Sequence, residues 1–523
     1  MAETELSKLL PSLNSAKSRR IGKYWIFISL IAIVIGAIHI FDQLLGLDNR
    51  SAVKKNVIFF ISDGMGPGSL SLARSYMQNK EGRNFDEVLN LDYHLVGSSR
   101  TRSSSSLITD SAAGATAFSC GMKTYNGAIG VDSNAEACGT ILETAKLAGF
   151  MTGLVVRSKI TDATPAAFSA HVESRSHEDV IATHQIGDYS LGRMVDLMIG
   201  GGRANFYCAA DTTYGNHGIR KDNRNLIDEA LADGWQYVGD YAEFKHLGNG
   251  RNISFPLLAL LSDFDMPFVL DQGYELPTLE EQAIFAMNAL SEATKDSDRG
   301  FFLMIEGSRI DHASHANDPA AHVEEVLDFD SAFQAAVNFA DRTSVETLII
   351  STSDHETGGL AIGRQIGDDY PEYVWKPEVL ARVRHSTQYL TQKLTTRFSN
   401  ETDVDVMKSY VKEEIFEKGL GIKDYDDAEV EAIINENDAM VVFARLSDML
   451  SRRALIGWST SGHTAVDVNV YAYSNKVSSW MRVKQYLMGN QENTGIGGYV
   501  ANYLGLDLQK TTNLLAYRTP PES

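Results

Sequence analysis

Residues 54–68 read KKNVIFFISDGMGPG, and this stretch decides the fold. Val57 to Ile61 is an apolar run with no alternation. Such a run suits a strand buried on both faces, as in a parallel sheet covered by helices. It stops at Asp63, and Gly64, Gly66 and Gly68 follow. In open α/β sheets, ligands gather beyond the carboxyl ends of the strands. A carboxylate in that place is a candidate site residue.

Working outward, the same pattern recurs. Phe150–Val156 (FMTGLVV), Phe301–Glu306 (FFLMIE) and Thr347–Thr352 (TLIIST) read as further buried strands. Ala135–Leu147 reads as a helix closed by Gly149. Asp318 followed by Pro319 reads as an N-cap with Pro in the first turn, opening a helix to about Asp341. Strands alternating with helices predict an α/β fold with a large, mostly parallel central sheet and helices on both faces. Residues 364–450 differ, being rich in Tyr, Glu, Asp and Lys. They include the helix-like DVDVMKSYVKEEIFEK (403–418), and read as an insertion covering the site. Asp63, Glu306 and Asp354 each fall at or just after a strand end. One such acid would be a loop or cap residue; three, with histidines nearby, point to a metal centre.

The 523 residues carry 44% hydrophobic and 22% charged side chains, which permits a substantial core. A net charge of −21 argues against nucleic-acid binding, which needs a basic face. A phosphate-ester site on such a surface must bring its own positive charge, which metal ions supply. Cys120, Cys138 and Cys208 exclude a disulfide scaffold. Either one bridge, with Cys138–Cys208 preferred, or three buried thiols fits them.

Tyr24–Phe41 (YWIFISLIAIVIGAIHIF) is apolar over 18 residues. At about 1.5 Å per residue it is long enough for a bilayer core. Lys17, Arg19, Arg20 and Lys23 precede it, and Asp42 and Asp48 follow. Positive flanks stay in the cytosol. The expectation is a cytosolic arm over 1–23, an uncleaved transmembrane anchor over 24–41 and a lumenal domain over 42–523. A cleaved signal peptide is the alternative, but no small-residue cleavage site follows the run. Asn49, Asn252 and Asn400 open glycosylation sequons beyond it.

The chemistry rests on a few clusters. Asp311 and His315 lie in DHASH, Asp354 and His355 are adjacent after a strand, and His463 sits among small residues. Zinc takes about four ligands from imidazole and carboxylate. Asp311, His315 and His463 can hold one zinc, and Asp63, Asp354 and His355 another. Magnesium prefers oxygen, which Asp162, Thr164 and Glu306 offer, with Asp63 as a bridge. Ser111, in ITDSAAGATAFSCG, stands where a helix begins, and a helix start favours phosphate. Zinc would lower its pKa and make it a nucleophile; the plainer reading is that Asp110 or Ser111 only caps the helix. Arg175 can grip two phosphate oxygens at once.

The segments ISDGMG (61–66), TDSAAGATAF (109–118), ITDATPAAFSAHVESR (160–175), EGSRIDHASHAN (306–317), TSDHETGG (352–359) and GHTAVDV (462–468) together resemble the alkaline phosphatases, in that family's order. With the apolar run, the chain looks most like the fungal vacuolar members. The resemblance implies hydrolysis of phosphate monoesters, phosphopeptides among them, through a phosphoserine at Ser111. It also implies Arg175 as the phosphate ligand, and two zinc ions and one magnesium ion held by the residues just named. It further implies a crown-like insertion at 364–450, a homodimer, and residence in the vacuolar membrane with the catalytic domain in the lumen. Bacterial members pair an Asp at position 162 with a Lys at position 312, and mammalian members have His at both. This chain combines Asp162 with His312. A phosphodiesterase or phosphomutase of the wider superfamily is the rival enzymatic reading; those generally lack a third site of the Asp162, Thr164 and Glu306 kind. An inactive anchored scaffold is the other rival, and it would be expected to have lost ligands.

Overall fold

The computed structural model describes residues 53–518 apart from 274 and 400. The expected arm and anchor, Asn49 and Asn400 lie outside the described residues. Fourteen strands are described: β1 (Lys55–Ile61), β2 (Leu95–Arg100), β3 (Met151–Lys159), β4 (Leu197–Gly201), β5 (Gln236–Val238), β6 (Leu257–Leu260), β7 (Phe301–Glu306), β8 (Glu346–Thr352), β9 (Glu356–Thr357), β10 (Ala361–Ile362), β11 (Ile456–Gly457), β12 (His463–Thr464), β13 (Val468–Ser474) and β14 (Gly489–Glu492). Ten of them form one sheet in the order β14-β2-β13-β8-β1-β7-β3-β4-β6-β5. Within it only β13 runs against its neighbours, β8 and β2.

β1 lies at the centre, paired in parallel with β7 and β8. Its side chains alternate between two cores. Val57, Phe59 and Ile61 join the cluster with Phe118, Phe168, Phe302 and Met304; Ile58 and Phe60 join Phe329, Phe333, Leu303 and Ile305. Phe59 meets Phe118 and Phe168 edge to face, and Phe60 meets Phe329 and Phe333 in the same way. The unbroken apolar run is therefore buried on both faces by helices, as the sequence predicts.

Some expectations need correction. The helix read over Ala135–Leu147 covers only Ile141–Leu147. Thr140 caps it with Glu143 in a reciprocal capping box, and Ala135 sits at a φ of 65°, outside helical backbone. The strand read over Phe150–Val156 runs from Met151 to Lys159. The preferred bridge Cys138–Cys208 is not formed: Cys120 pairs with Cys138, and Cys208 is a buried thiol. Pairing with Cys138 ties the end of the Ser111–Cys120 helix to the loop that follows it. The Asp318 cap and its helix stand as read, over Pro319–Arg342.

Between the paired strands β10 and β11, helices from Pro377 to Ala454 pack around a core of their own, with Leu390, Ile415, Phe416, Leu446 and Leu450 at its centre. Within 403–418, a regular helix over Val404–Tyr410 continues as wider π-type turns over Val411–Leu420. No helix among the described residues is long and apolar enough to cross a membrane.

Candidate metal and phosphate site

Every candidate ligand follows the carboxyl end of a strand of the central sheet or sits in the small β9–β12 pair. Asp63 follows β1, Glu306 ends β7, and Asp354 and His355 follow β8. Asp162 follows β3 and caps the helix Ala163–Ser169, which carries Thr164. Asp311 and His315 lie on the helix Arg309–His315, one turn apart. His463 opens β12, which pairs with β9 so that His463 stands opposite Thr357.

These elements approach closely because small residues allow it. Gly64 has a φ of 74°, and a Cβ there would lie 2.7 Å from the Cα of Asp311. Gly114, in the Ser111 helix, would put a Cβ 2.9 Å from that of Asp354. The glycine and alanine content of these segments thus sets the distance between serine and carboxylates.

The ring nitrogens are assigned by their partners. His463 Nδ1 lies 2.8 Å from the Thr109 carbonyl, and His315 Nδ1 lies 2.6 Å from the Ser461 carbonyl. A carbonyl only accepts, so both Nδ1 atoms carry hydrogen. Thr357 gives its hydroxyl proton to Asp311 Oδ1 at 2.6 Å, so its oxygen accepts from His355 Nδ1 at 3.1 Å. In their neutral form all three rings direct Nε2 inward as a lone pair. His463 Nε2 is 3.1 Å from His315 Nε2. His355 Nε2 is 3.2 Å from Asp354 Oδ2, 3.4 Å from Asp63 Oδ1 and 3.1 Å from Ser111 Oγ.

Lone pairs and carboxylates converging in this way repel unless a cation lies among them. Among the described residues, two such groups have atoms close enough for one ion: Asp311 with His315 and His463, and Asp63 with Asp311 and His355. The first is the set expected from sequence. The second differs by including Asp311, with Asp354 packed against the same His355 nitrogen. The third set is oxygen-only. Glu306 Oε2 and Thr164 Oγ1 are buried without a protein hydrogen-bond partner, and Asp354 Oδ2 has only the His355 ring nitrogen beside it. Asp162 Oδ1 takes the Ala163 N–H and Arg175 Nη2. Unpartnered buried oxygens of this kind fit metal ligands.

The electrostatics agree. Burial first, then the charges of Asp354, Asp311 and Glu306, push the Asp63 carboxyl well above its usual range. Burial and Asp162 do the same to Glu306. Burial opposes charge on His315, but the bond and charge of Asp311 outweigh it and hold the ring at about 9. Burial, helped by His355, lowers His463 to about 4. The site is a sink for positive charge, supplied by protons or by metal ions.

Ser111 is the first residue of its helix. Asp110 is the cap, accepting the Ala113 N–H at 3.0 Å, so the serine hydroxyl has no capping duty. Its Oγ also lies 3.5 Å from Asp63 Oδ1. Arg175 is held by Asp162 at 3.0 Å and Asp110 at 3.4 Å, with about a third of its side chain exposed. His312 points away from the Asp311 group: its Nδ1 accepts from Arg309 Nη1 at 2.5 Å and lies 3.7 Å from Asp265. The sequence marks Asp110 as a cap but not as a holder of Arg175, and it does not mark Thr357 or Arg309 for these parts, although all three stand inside or beside the quoted motifs. Beside His315 a 390 Å³ groove opens, walled by Asn317 and Trp458 and by Met440 and Phe443 of the inserted helices.

Candidate metal ligands on the ends of parallel strands, with a serine at a helix start and a partly exposed arginine, suit a metal-dependent enzyme acting on phosphate esters. Comparison with known proteins narrows this. The alkaline phosphatase family profile matches residues 54–506. A repressible alkaline phosphatase of Saccharomyces cerevisiae is 51% identical over 98% of this chain and 94% of its own. An alkaline phosphatase of Schizosaccharomyces pombe is 46% identical over 88% and 83%. The crystal structure of a cold-active alkaline phosphatase from Shewanella sp. has a TM-score of 0.69 at 29% identity, covering 88% of this chain and 99% of that one. The chain belongs to the alkaline phosphatase family, enzymes that hydrolyse phosphate monoesters with the help of metal ions.

Proposed function

We propose that the chain hydrolyses phosphate monoesters through a phosphoserine at Ser111, using two zinc ions and one magnesium ion. The observation that carries this reading is the Ser111 hydroxyl at a helix start, 3.1 Å from the lone pair of His355 and 3.5 Å from Asp63. Mixed imidazole and carboxylate sets suit zinc: Asp311, His315 and His463 for one ion, Asp63, Asp354 and His355 for the other. The oxygen set of Asp162, Thr164 and Glu306, with Asp63 beside it, suits magnesium. Bound there, the metals lower the pKa of the serine hydroxyl and neutralise charge on the phosphoryl and leaving oxygens.

The chain's own residues do the rest. Arg175, held by Asp162 and Asp110, keeps its exposed edge for two phosphoryl oxygens. The first N–H groups of the Ser111 helix add positive potential. Ser111 Oγ forms a bond to phosphorus, the ester P–O bond breaks, and the alcohol leaves with a proton. Water then forms a new P–O bond, the serine P–O bond breaks, and Ser111 regains its proton. Thr109, Ser461 and Thr357 keep the three imidazoles oriented throughout.

The test is acid quenching during turnover of a labelled aryl phosphate. The wild-type chain should retain label on protein; Ser111→Ala should retain none while its metal content is unchanged. Label trapped on Ser111→Ala would overturn the assignment. A matching diester should be a poor substrate, and preference for it would favour the phosphodiesterase reading.

The placement of the enzyme belongs to the same proposal. Residues 24–41 anchor it, 1–23 face the cytosol, and the catalytic domain faces the lumen, in the vacuolar membrane, as a glycosylated homodimer. The charged flanks of the run support this topology. Asn252 is exposed and open to a glycan. Resistance to carbonate extraction, with protease protection of the catalytic domain in sealed organelles, tests it; release by carbonate would remove the anchor.

A further inference from the structure

The helix Val477–Leu487 turns an apolar face to solvent. Val483 and Leu487 face the core, with Ser479 on the same side. On the opposite side Val477, Met481, Lys484 and Met488 line up at helical spacing, and the three apolar side chains are 80%, 60% and 65% exposed. The helix holds no acidic residue, and Lys476, Arg482 and Lys484 are exposed on or beside it. This is a cationic, apolar stripe on a chain whose net charge is −21.

Its position gives it meaning. β1 opens at Lys55, whose amino group donates to the Tyr503 carbonyl at 2.9 Å and lies 4.4 Å above that ring. Tyr503 and Ser479 both donate to Glu346, at 2.9 and 2.6 Å, so the helix and the start of β1 share one end of the sheet. Arg482 is near enough to Lys55 to disfavour its charge. Of the acids at this end, Glu346 is engaged as just described and Asp341 by the Tyr473 hydroxyl, while Asp296 and Asp298, in the loop before β7, are exposed. The active site lies at the other end of β1, at Asp63. Eight residues at about 3.3 Å each separate the two ends by roughly 26 Å.

We propose that this stripe docks on the surface of a bilayer bearing anionic lipid, with Met481, Val477 and Met488 at the headgroup boundary and Lys476, Arg482 and Lys484 against the charge. The proposal rests on the anchor reading of residues 24–41. Between that run and Lys54 stand twelve residues, 42–53. Fully extended they reach about 40 Å, so the tether delivers this end of the sheet to the membrane. An amphipathic helix with cations beside an apolar stripe binds such an interface. Docking there holds the catalytic end outward, open to soluble phosphate esters.

The test uses the full chain reconstituted into vesicles of phosphatidylcholine with and without phosphatidylserine. Met481→Cys and, as a control, Ile366→Cys carry a fluorescent label, and a lipid-borne quencher reports contact. Ile366 is exposed and lies outside the catalytic machinery. Quenching at 481 but not 366, stronger with phosphatidylserine, is the expected result. Arg482→Gln with Lys484→Gln should lower the docked-to-free ratio about 25-fold, from about fivefold per cation at an anionic surface. Equal, weak quenching at both positions in chain that floats with the vesicles would overturn docking and leave the anchor intact; chain that does not float would overturn the anchor. Protection of position 481 in detergent without lipid, rising with protein concentration, would assign the stripe to a second copy of the chain and also overturn the proposal.

Discussion

Thr357 joins two ligands that sequence reading kept apart. Its hydroxyl donates to Asp311 and accepts from His355, so one oxygen fixes a carboxylate and an imidazole tautomer. Partners of this kind orient ligands and raise metal affinity. Thr357→Val keeps the shape and removes the hydroxyl; zinc affinity should fall about 10- to 100-fold, read by competition with a chelating dye. His312 raises a second residue-scale question. Burial first, then Arg309, lowers its pKa, so the ring is neutral at and above neutral pH. A lysine there would stay charged to about pH 10. His312→Lys should therefore tighten inhibition by inorganic phosphate across the alkaline range, through Asp162 and the phosphate pocket; equal inhibition constants in both proteins would limit His312 to supporting Arg309. The candidate ligands are legible because each is a polar residue ending an apolar run or standing in a dense motif. Thr357 and Arg309 were not singled out, because a hydroxyl or guanidinium acting through a neighbour shows its role only when the partner's position is known.

At the scale of elements, legibility follows burial. β1, β7 and β8 are central strands, and their apolar runs set their limits within two residues. β2 (LVGSSR) and β14 (GNQE) are polar strands at one side of the sheet, held by backbone pairing, and no sequence pattern marks them. Phe59→Ala should cost about 3–5 kcal/mol in denaturant unfolding, because the cavity opens between two helices and the sheet. The shortened helix Ile141–Leu147 owes its start to Glu143, which also receives Tyr189 at 2.6 Å and His171 at 2.7 Å. His171 Nδ1 faces the Gly130 carbonyl at 2.6 Å, so both ring nitrogens meet acceptors and the ring is an imidazolium. Burial opposes that charge, but Glu143 outweighs it and raises the pKa of His171; the same pair, against burial, lowers that of Glu143. The raised histidine gives stability that is complete below its unfolded pKa of about 6.5 and lost as pH rises through the folded value. With metals saturating, the wild-type melting temperature should fall more steeply above neutral pH than that of Glu143→Gln. Parallel curves would mean that the ring is neutral in the folded state.

At the scale of the molecule, the candidate metal ligands come from β1, β3, β7, β8 and β12 and the segments that follow them. An ion set bound there fastens one end of the sheet to the β9–β12 pair. Ligand binding to the folded state alone adds about 2.7 kcal/mol at 100 times the dissociation constant. Chelation should therefore lower the melting temperature as well as remove activity, with zinc and magnesium restoring both. The sign of the pH dependence distinguishes this from nonspecific loosening. Without metal, Asp63 and Glu306 have folded pKa values well above their unfolded ones, because burial and neighbouring carboxylates disfavour ionisation. The folded chain then holds more protons than the unfolded chain once pH exceeds the ordinary carboxylate range. Stability contributed by these two groups is complete below the unfolded pKa and declines as pH rises toward the folded values. Metal binding needs the same carboxylates deprotonated, so the metal-loaded chain gains stability over that rise. Melting curves from about pH 4.5 to neutrality should slope downward for the chelated protein relative to the loaded one, and the gap between them should widen with pH. A constant gap would mean that the carboxylates ionise alike in both states, and that the five strand ends tolerate their charge without a metal ion.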